Sequence, residues 1–263
     1  MIIAIVSAKG GVGKTTIVAN VGTALATQFY TDTTLVDANM TAPNLNLYFG
    51  MFYFPKTLNA VLSGKYPAQD AVYRHPAGVK ILPCELDFGK KFDEKAFRKS
   101  ISSLDTPESI VMIDSPPTLG EEVATILQTA DKAFAVMTPD PSSLLSTQML
   151  EEAAEKLGIS LEGLILNRVR YVPYELTERE VRREVGLPII ASIPEDPSVQ
   201  KSLILHNPSV VLQPNAKSSI AFKKIAAKIV GKSYREPVPS LFSSVKSSLK
   251  NLILDSLVIF RRV

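Results

Sequence analysis

The sequence predicts a doubly wound α/β fold, in which a mainly parallel sheet is covered by helices on both faces. Short apolar, β-branched runs alternate along the chain with longer segments whose apolar residues recur at the helical period. The short runs are apolar at consecutive positions, as expected of strands that are buried on both sides. With 263 residues, of which 46% are hydrophobic, the chain is long enough for one large domain with a substantial core.

The elements follow in order from this alternation. The predicted strands cover residues 2–6, 34–36, 79–84, 110–113, 133–138, 163–166 and 189–193. The predicted helices cover residues 16–28, 94–104, 121–128, 143–157, 177–185 and 218–230. Two prolines then predict a hinge over residues 232–239. The hinge separates a body, residues 1–231, from a C-terminal segment, residues 240–263.

Composition excludes several kinds of protein. Cys84 is the one cysteine of the chain, which excludes an intrachain disulfide and a cysteine-rich metal site within one chain. His75 and His206 lie far apart in the sequence, which argues against a zinc site. Of the 29 basic and 26 acidic residues, six basic and two acidic ones follow position 231, so the body has a net charge of −1. This distribution argues against a broad nucleic-acid-binding face on the body. No secretory signal or membrane-spanning stretch is visible, which predicts a cytoplasmic location.

The strongest local signal is a phosphate-binding loop directly after the first strand. It reads Ser7-Ala8-Lys9-Gly10-Gly11-Val12-Gly13-Lys14-Thr15-Thr16, and we predict that residues 9–16 bind nucleotide. The glycines permit a tight turn whose backbone N–H groups point at phosphate oxygens, and the helix that follows adds partial positive charge. Lys14 is placed to reach the β- and γ-phosphates, and the Thr15 hydroxyl to ligate Mg²⁺.

The stretch Lys-Gly-Gly-Val-Gly-Lys-Thr-Thr, with a second lysine at position 9, resembles the deviant Walker A motif of the MinD/ParA family of ATPases. The resemblance covers residues 1–231 and implies a P-loop NTPase fold that binds ATP and Mg²⁺ at the C-terminal ends of its strands. In that family the second lysine reaches the nucleotide of the partner subunit. The resemblance therefore implies catalytic roles for Lys9 and Lys14 and an ATP-dependent homodimer.

Two aspartates that end strands resemble the switch regions of the same family. They are Asp37, in Val36-Asp37-Ala38-Asn39, and Asp114, in Ile113-Asp114-Ser115-Pro116-Pro117. A carboxylate at this place can hold Mg²⁺ through water, so Thr15, Asp37 and Asp114 are the predicted metal ligands. The family usually has Asp-x-Asp at this place, whereas this chain has Asp37-Ala38-Asn39. We predict that Asn39 is the catalytic residue that holds the attacking water by hydrogen bonds. Because an amide cannot accept a proton as a carboxylate does, we expect slow hydrolysis.

The same resemblance implies contacts to the adenine base from Asn167, Pro194 and Asp196. Leu166-Asn167-Arg168 resembles the segment whose asparagine reads the adenine edge, a task that suits an amide with both donor and acceptor groups. Ile193-Pro194-Glu195-Asp196 resembles the stretch that closes over the base through backbone contacts.

The C-terminal segment favours a MinD-like function, in which an ATP dimer binds the inner face of the cell membrane and recruits or positions an unidentified protein partner. Its apolar residues recur mostly at steps of three and four: Phe242, Val245, Leu249, Leu252, Ile253, Leu257 and Phe260. Arg261 and Arg262 add charge for anionic lipid. Packing of this amphipathic helix on the body or on a neighbouring subunit is the alternative.

Other functions share the phosphate-binding loop. A ParA-like partition ATPase would bind DNA through its ATP dimer, and a regulatory scaffold would bind ATP and hydrolyse it only weakly. An iron–sulfur carrier on the same fold generally needs a Cys-x-x-Cys pair, which this sequence lacks.

Overall fold

The computed structural model describes residues 1–87 and 92–236, and these ranges contain one sheet of eight strands. The strands are β1 (Ile2–Val6), β2 (Asp32–Asp37), β3 (Tyr73–Arg74), β4 (Lys80–Leu82), β5 (Ser109–Asp114), β6 (Lys132–Met137), β7 (Gly163–Val169) and β8 (Ile189–Pro194). Their order is β3-β4-β2-β5-β1-β6-β7-β8, and every neighbouring pair is parallel except β3 with β4. The predicted mainly parallel sheet is therefore confirmed.

Helices cover both faces of this sheet. They are α1 (Lys14–Gln28), α2 (Leu58–Leu62), α3 (Glu94–Ser102), α4 (Glu121–Thr129), α5 (Pro141–Lys156), α6 (Glu178–Val185), α7 (Pro197–Ile204), α8 (Ser209–Leu212) and α9 (Lys217–Ile229), with 3₁₀ turns at Leu45–Phe49 and Ala68–Ala71. Alternate residues of β1 enter opposite cores: Ile3 belongs to the core that contains residues of α1 and α9, whereas Ala4 belongs to the core that contains residues of α3, α4, α5 and α6.

The differences from the predicted elements have local causes. The strand β3 has two residues and the helices α2 and α8 have five and four, too few to show a period in the sequence. The helix α5 begins at Pro141 rather than at 143, because the Asp140 side chain accepts the Ser143 N–H at 2.9 Å and caps the helix.

A glycine lets α1 approach the sheet closely. A Cβ atom on Gly22, in the middle of α1, would lie 2.3 Å from Cδ2 of Leu35 in β2. Both residues are fully buried, so neither has room to move away. Since α1 starts at the phosphate-binding loop, this contact also sets where the loop lies relative to the strand ends.

The predicted hinge and C-terminal segment fall largely outside this description. Residues 232–236 are described and contain no helix or strand, whereas residues 237–263 lie outside the described residues. Within the described ranges, no helix has the length and apolar character needed to span a membrane.

Candidate nucleotide-binding site

The phosphate-binding loop and the two predicted switch aspartates meet at one edge of the sheet. The loop follows β1, while Asp37 ends β2 and Asp114 ends β5. Because these strands are parallel, the register pairs Asp37 with Asp114 and Asp114 with Ile5. Both aspartates are buried, each with 1% of its surface exposed. The structure thus brings both predicted metal ligands to the edge of the sheet from which the loop starts.

The loop backbone is held open by glycines and by one asparagine. Gly11 and Gly13 have φ values of 78° and 99°, which side-chain-bearing residues rarely adopt. The Asn167 amide reaches across from β7, and its Nδ2 donates to the Val12 carbonyl at 2.7 Å. A cavity of about 480 Å³ opens above the loop, with residues Gly10, Gly11, Gly13, Lys14, Thr15 and Thr16 along one side.

Lys14 lies at this cavity with a weak partner. It is buried, and its Nζ donates to the Ser7 hydroxyl at 2.7 Å. Burial lowers the pKa of Lys14 to about 8, and the negative charge of Asp114 opposes that shift. The Ser7 hydroxyl is neutral, so a bound anion would be a stronger partner for Nζ. The predicted β- and γ-phosphates would be such an anion.

The two carboxyl groups carry pKa values above their ordinary range. Burial raises the pKa of Asp37 to about 6, although the N–H groups of Leu45, Asn39 and Asn44 donate to it. Burial and then the charge of Asp37 raise the pKa of Asp114 to about 8. Two buried carboxyl groups side by side are unfavourable as a pair of anions, so this edge favours a cation.

The donor set fits Mg²⁺. Thr15 Oγ1 donates to Asp114 Oδ2 at 2.6 Å, whereas Asp114 Oδ1 is buried without a hydrogen-bond partner among the described residues. Mg²⁺ prefers hard oxygen ligands and keeps several waters, so one carboxylate and one hydroxyl are sufficient protein ligands. Both Asp37 oxygens already accept backbone N–H groups, which makes Asp114 and Thr15 the residues that would hold the ion.

Asn39 lines the same cavity, but its amide is engaged within its own loop. Its Nδ2 donates to the Ala42 carbonyl at 3.0 Å, and its Oδ1 accepts from the Thr41 hydroxyl at 3.0 Å. One N–H group and one oxygen lone pair of the amide remain for a water. Its role in hydrolysis stays a prediction.

Lys9 turns to the outer side of the loop. Its Nζ forms an ion pair with Asp140 Oδ1 at 2.9 Å, and its side chain is 32% exposed. Burial alone would raise the pKa of Asp140, but hydrogen bonds from Thr138 and Lys9 hold it below the ordinary value. Asp140 therefore acts as both the α5 cap and the partner of Lys9 within one protomer.

The predicted base-binding residues are only partly brought together. Asn167 reaches the phosphate-binding loop, but Pro194 lines a different cavity beside α9. The Asp196 carboxylate caps α7 through the Ser198 N–H at 2.9 Å and also accepts the Ser218 N–H of α9 at 3.1 Å. Asp196 thus has a structural task that the sequence did not reveal, and adenine contacts from all three residues stay predictions.

Eight further residues line the cavity and were not predicted as site residues: Ala42, Asn44, Leu47, Tyr48, Ser115, Pro117, Arg168 and Leu203. The 3₁₀ turn Leu45–Phe49 forms the roof, because the Tyr48 hydroxyl lies 2.6 Å from Thr16 Oγ1. His206 Nδ1 lies 2.7 Å from the Leu47 carbonyl and so joins this turn to the end of α7. The sequence could have indicated Arg168, because it directly follows the predicted residue Asn167; its φ is 57°. No feature of the local sequence indicates that Tyr48 belongs to the site.

Known proteins resemble this chain in both sequence and structure. Residues 3–209 match the model of the CobQ/CobB/MinD/ParA nucleotide binding domain. The chain is 34% identical over 234 residues to an uncharacterised ATP-binding protein of Methanocaldococcus jannaschii, a match that covers 88% of each chain. The structure of this chain resembles that of the septum site-determining protein MinD of Pyrococcus horikoshii complexed with Mg-ADP. The TM-score is 0.80, and the sequences are 32% identical over 87% of this chain and 95% of the Pyrococcus chain.

A second solved relative is the MinC:MinD cell division protein complex of Aquifex aeolicus, with a TM-score of 0.81 and 26% identity over 91% of this chain and 98% of that one. The matched range contains the phosphate-binding loop, both aspartates and Asn167. The prediction of ATP and Mg²⁺ is in line with the Mg-ADP of the Pyrococcus horikoshii protein. The predicted resemblance is confirmed, and the chain belongs to the CobQ/CobB/MinD/ParA family of nucleotide-binding domains.

Proposed function

We propose that this protein is a MinD-like switch that binds Mg-ATP, dimerises with it and hydrolyses it slowly. In the ATP-bound state it associates reversibly with the inner face of the cell membrane through residues 240–263 and recruits or positions a protein partner. The position of Lys9 carries the proposal. This lysine borders the phosphate-binding loop, yet its ammonium group lies with Asp140, outside the cavity of its own protomer.

Charge explains why ATP would favour a dimer. In one protomer Lys9 is paired with a single carboxylate that is 40% exposed, and such pairs contribute about 0–1 kcal/mol. Across a symmetric dimer the same ammonium group would contact the phosphates of the partner's ATP, which carry more negative charge. Each Lys9 would then exchange Asp140 for a stronger partner, and only a nucleotide with a γ-phosphate would supply the full charge.

The other residues of the site bind the phosphates, hold Mg²⁺ and orient the attacking water. The loop N–H groups and Lys14 hold the phosphates, while Thr15 and Asp114 hold Mg²⁺. When bound, Mg²⁺ would neutralise charge on the β- and γ-phosphates. Asn39 orients the attacking water by hydrogen bonds without accepting its proton, which makes turnover slow.

Dimerisation is tested by measuring the mass in solution with ATP, with a non-hydrolysable analogue and with ADP. We expect two chains per particle with ATP and the analogue, and one with ADP. Lys9→Ala should stay monomeric in all three. The matched control is Lys56→Ala, because Lys56 also pairs with an aspartate and is 34% exposed. A mass that never changes, for wild type and Lys9→Ala alike, would refute the ATP dimer.

Turnover is tested by the substitution Asn39→Asp. Restoring a carboxylate beside the attacking water should raise the ATP hydrolysis rate about 10²-fold or more, the contribution typical of a general base. Asn39→Ala serves as the control and should not gain activity. If Asn39→Asp is no faster than wild type, with or without a partner, Asn39 does not limit hydrolysis.

Membrane association is tested by flotation with anionic vesicles. The full chain should float with ATP, whereas a chain that ends at Pro239 should stay in solution. One predicted amphipathic segment would bind marginally, and pairing two in a dimer can raise the apparent affinity by roughly 10²–10⁴. Equal flotation of both chains, or none with ATP, would contradict the membrane role. Salt-sensitive binding of the ATP-bound body to DNA would instead favour a ParA-like function.

A further inference from the structure

A second cavity, of about 610 Å³, lies away from the phosphate-binding loop between the edge strand β8 and α9. Its floor includes apolar side chains such as Ile190, Ile220 and Ala227. Its rim carries four lysines, which we call the lysine stripe: Lys217, Lys224, Lys228 and Lys232. We propose that the lysine stripe binds the headgroups of anionic phospholipids and forms a second membrane contact. This inference rests on the proposed membrane association through residues 240–263.

The stripe is a continuous basic surface. Lys217, Lys224 and Lys228 are separated by seven and four residues, so their side chains share one face of α9. At a rise of 1.5 Å per residue, the eleven steps from Lys217 to Lys228 span about 16 Å. Lys224 pairs with Glu236 at 2.6 Å, and Lys228 donates to the Ile190 carbonyl. Four lysines thus face one rim carboxylate, whereas the body as a whole has a net charge of −1.

The start of the proposed membrane segment is tied to this surface. Residues 232–236 are attached to α9, because Tyr234 lies under the Lys223 ammonium group at 5.6 Å and Glu236 pairs with Lys224. Residue 240 follows Glu236 by four positions, which span at most about 14 Å when extended. If residues 240–263 lie on a membrane, the lysine stripe must lie close to that membrane as well.

Charge decides which occupant suits the stripe. Residues 240–263 contain four basic residues and one acidic residue, so this part of the chain and the stripe repel each other. Anionic headgroups have the opposite charge and are presented on the surface that the segment already contacts. A single apolar anchor gives only marginal, reversible binding, and a basic patch beside it is the usual second contribution.

The test uses the full chain with Lys217, Lys224 and Lys228 all replaced by glutamine. The matched control replaces Lys95, Lys99 and Lys156, which lie on α3 and α5 and therefore on the opposite face of the sheet. Binding is measured with ATP on phosphatidylcholine vesicles, with and without phosphatidylglycerol. The stripe variant should lose about fivefold in affinity per lysine, or about 10²-fold in total, on the anionic vesicles only. The control should bind like wild type.

A variant with arginine at the same three positions guards against a folding defect, and it should bind like wild type because the charge is kept. ATP binding by all variants should be unchanged, since the stripe lies outside the nucleotide cavity. If wild type binds anionic vesicles and the glutamine variant binds equally well, the lysine inference is wrong and the membrane function stands. If wild type itself does not bind the anionic vesicles, both the lysine inference and the proposed membrane association are wrong. If only binding to duplex DNA is lost, the stripe is a nucleic-acid surface and the inference is overturned.

Discussion

We expect Gly13→Ala to weaken ATP binding about 10²-fold and to lower the free energy of unfolding by about 2–5 kcal/mol. Gly13 has a φ of 99°, and a Cβ atom there would lie 2.2 Å from Nδ2 of Asn167. The contact would push away the amide that holds the Val12 carbonyl at 2.7 Å, so the loop N–H groups would no longer converge on a phosphate. Titration with ATP and denaturant unfolding measure the two effects.

Gly11→Ala is the matched control for this substitution. Gly11 also has a positive φ, 78°, but nothing lies within 4 Å of the Cβ position. Backbone strain alone should then lower stability by about 1–2 kcal/mol, with a smaller loss of ATP affinity. Equal effects of the two substitutions would show that the Asn167 contact does not hold the loop.

Asp114→Asn should separate stability from function. It removes a buried carboxyl group beside Asp37, so we expect the ligand-free protein to gain about 1–3 kcal/mol of unfolding free energy at pH 8. The amide oxygen can still accept the Thr15 hydroxyl, but it brings no charge to Mg²⁺. Wild-type ATP affinity should fall when Mg²⁺ is chelated, whereas the affinity of the variant should be low with or without the ion.

The pH dependence has a definite sign. Burial and then the charge of Asp37 raise the pKa of Asp114 in the folded protein to about 8, whereas the ordinary value is 3.8. Stability of the ligand-free wild type should therefore fall as the pH rises from 3.8 to about 8, and Asp114→Asn should flatten that fall. The control for the substitution itself is Asp70→Asn, which removes an exposed carboxylate that pairs with Lys56. A steeper fall in Asp114→Asn than in wild type would contradict the assignment.

The local sequence pattern was sufficient to predict those site residues that directly follow or end a strand. The loop after β1 shows its glycines and Lys14 within ten consecutive residues, and Asp37 and Asp114 each end an apolar run. A parallel sheet then brings such ends to one edge, as the register of Asp37 with Asp114 shows. These parts of the site could be predicted without any tertiary information.

Contacts between distant parts of the chain could not be predicted in this way. Tyr48 meets Thr16 across 32 positions, and Asp140 meets Lys9 across 131. Asn167 was predicted from the family resemblance, but its hydrogen bond to the Val12 carbonyl depends on how β7 lies relative to the phosphate-binding loop. Such pairings follow from the packing of whole elements, which residue types alone do not encode.

The close approach of α1 to β2 at Gly22 affects how tightly a nucleotide can bind. Because Leu35 is fully buried and fills the space where a side chain on residue 22 would lie, the helix is seated on the sheet during folding. The chain entropy of the first turn of α1 is thus lost before any ligand arrives. Binding then starts from a preorganised receptor, and more of the free energy of the phosphate contacts is retained as affinity.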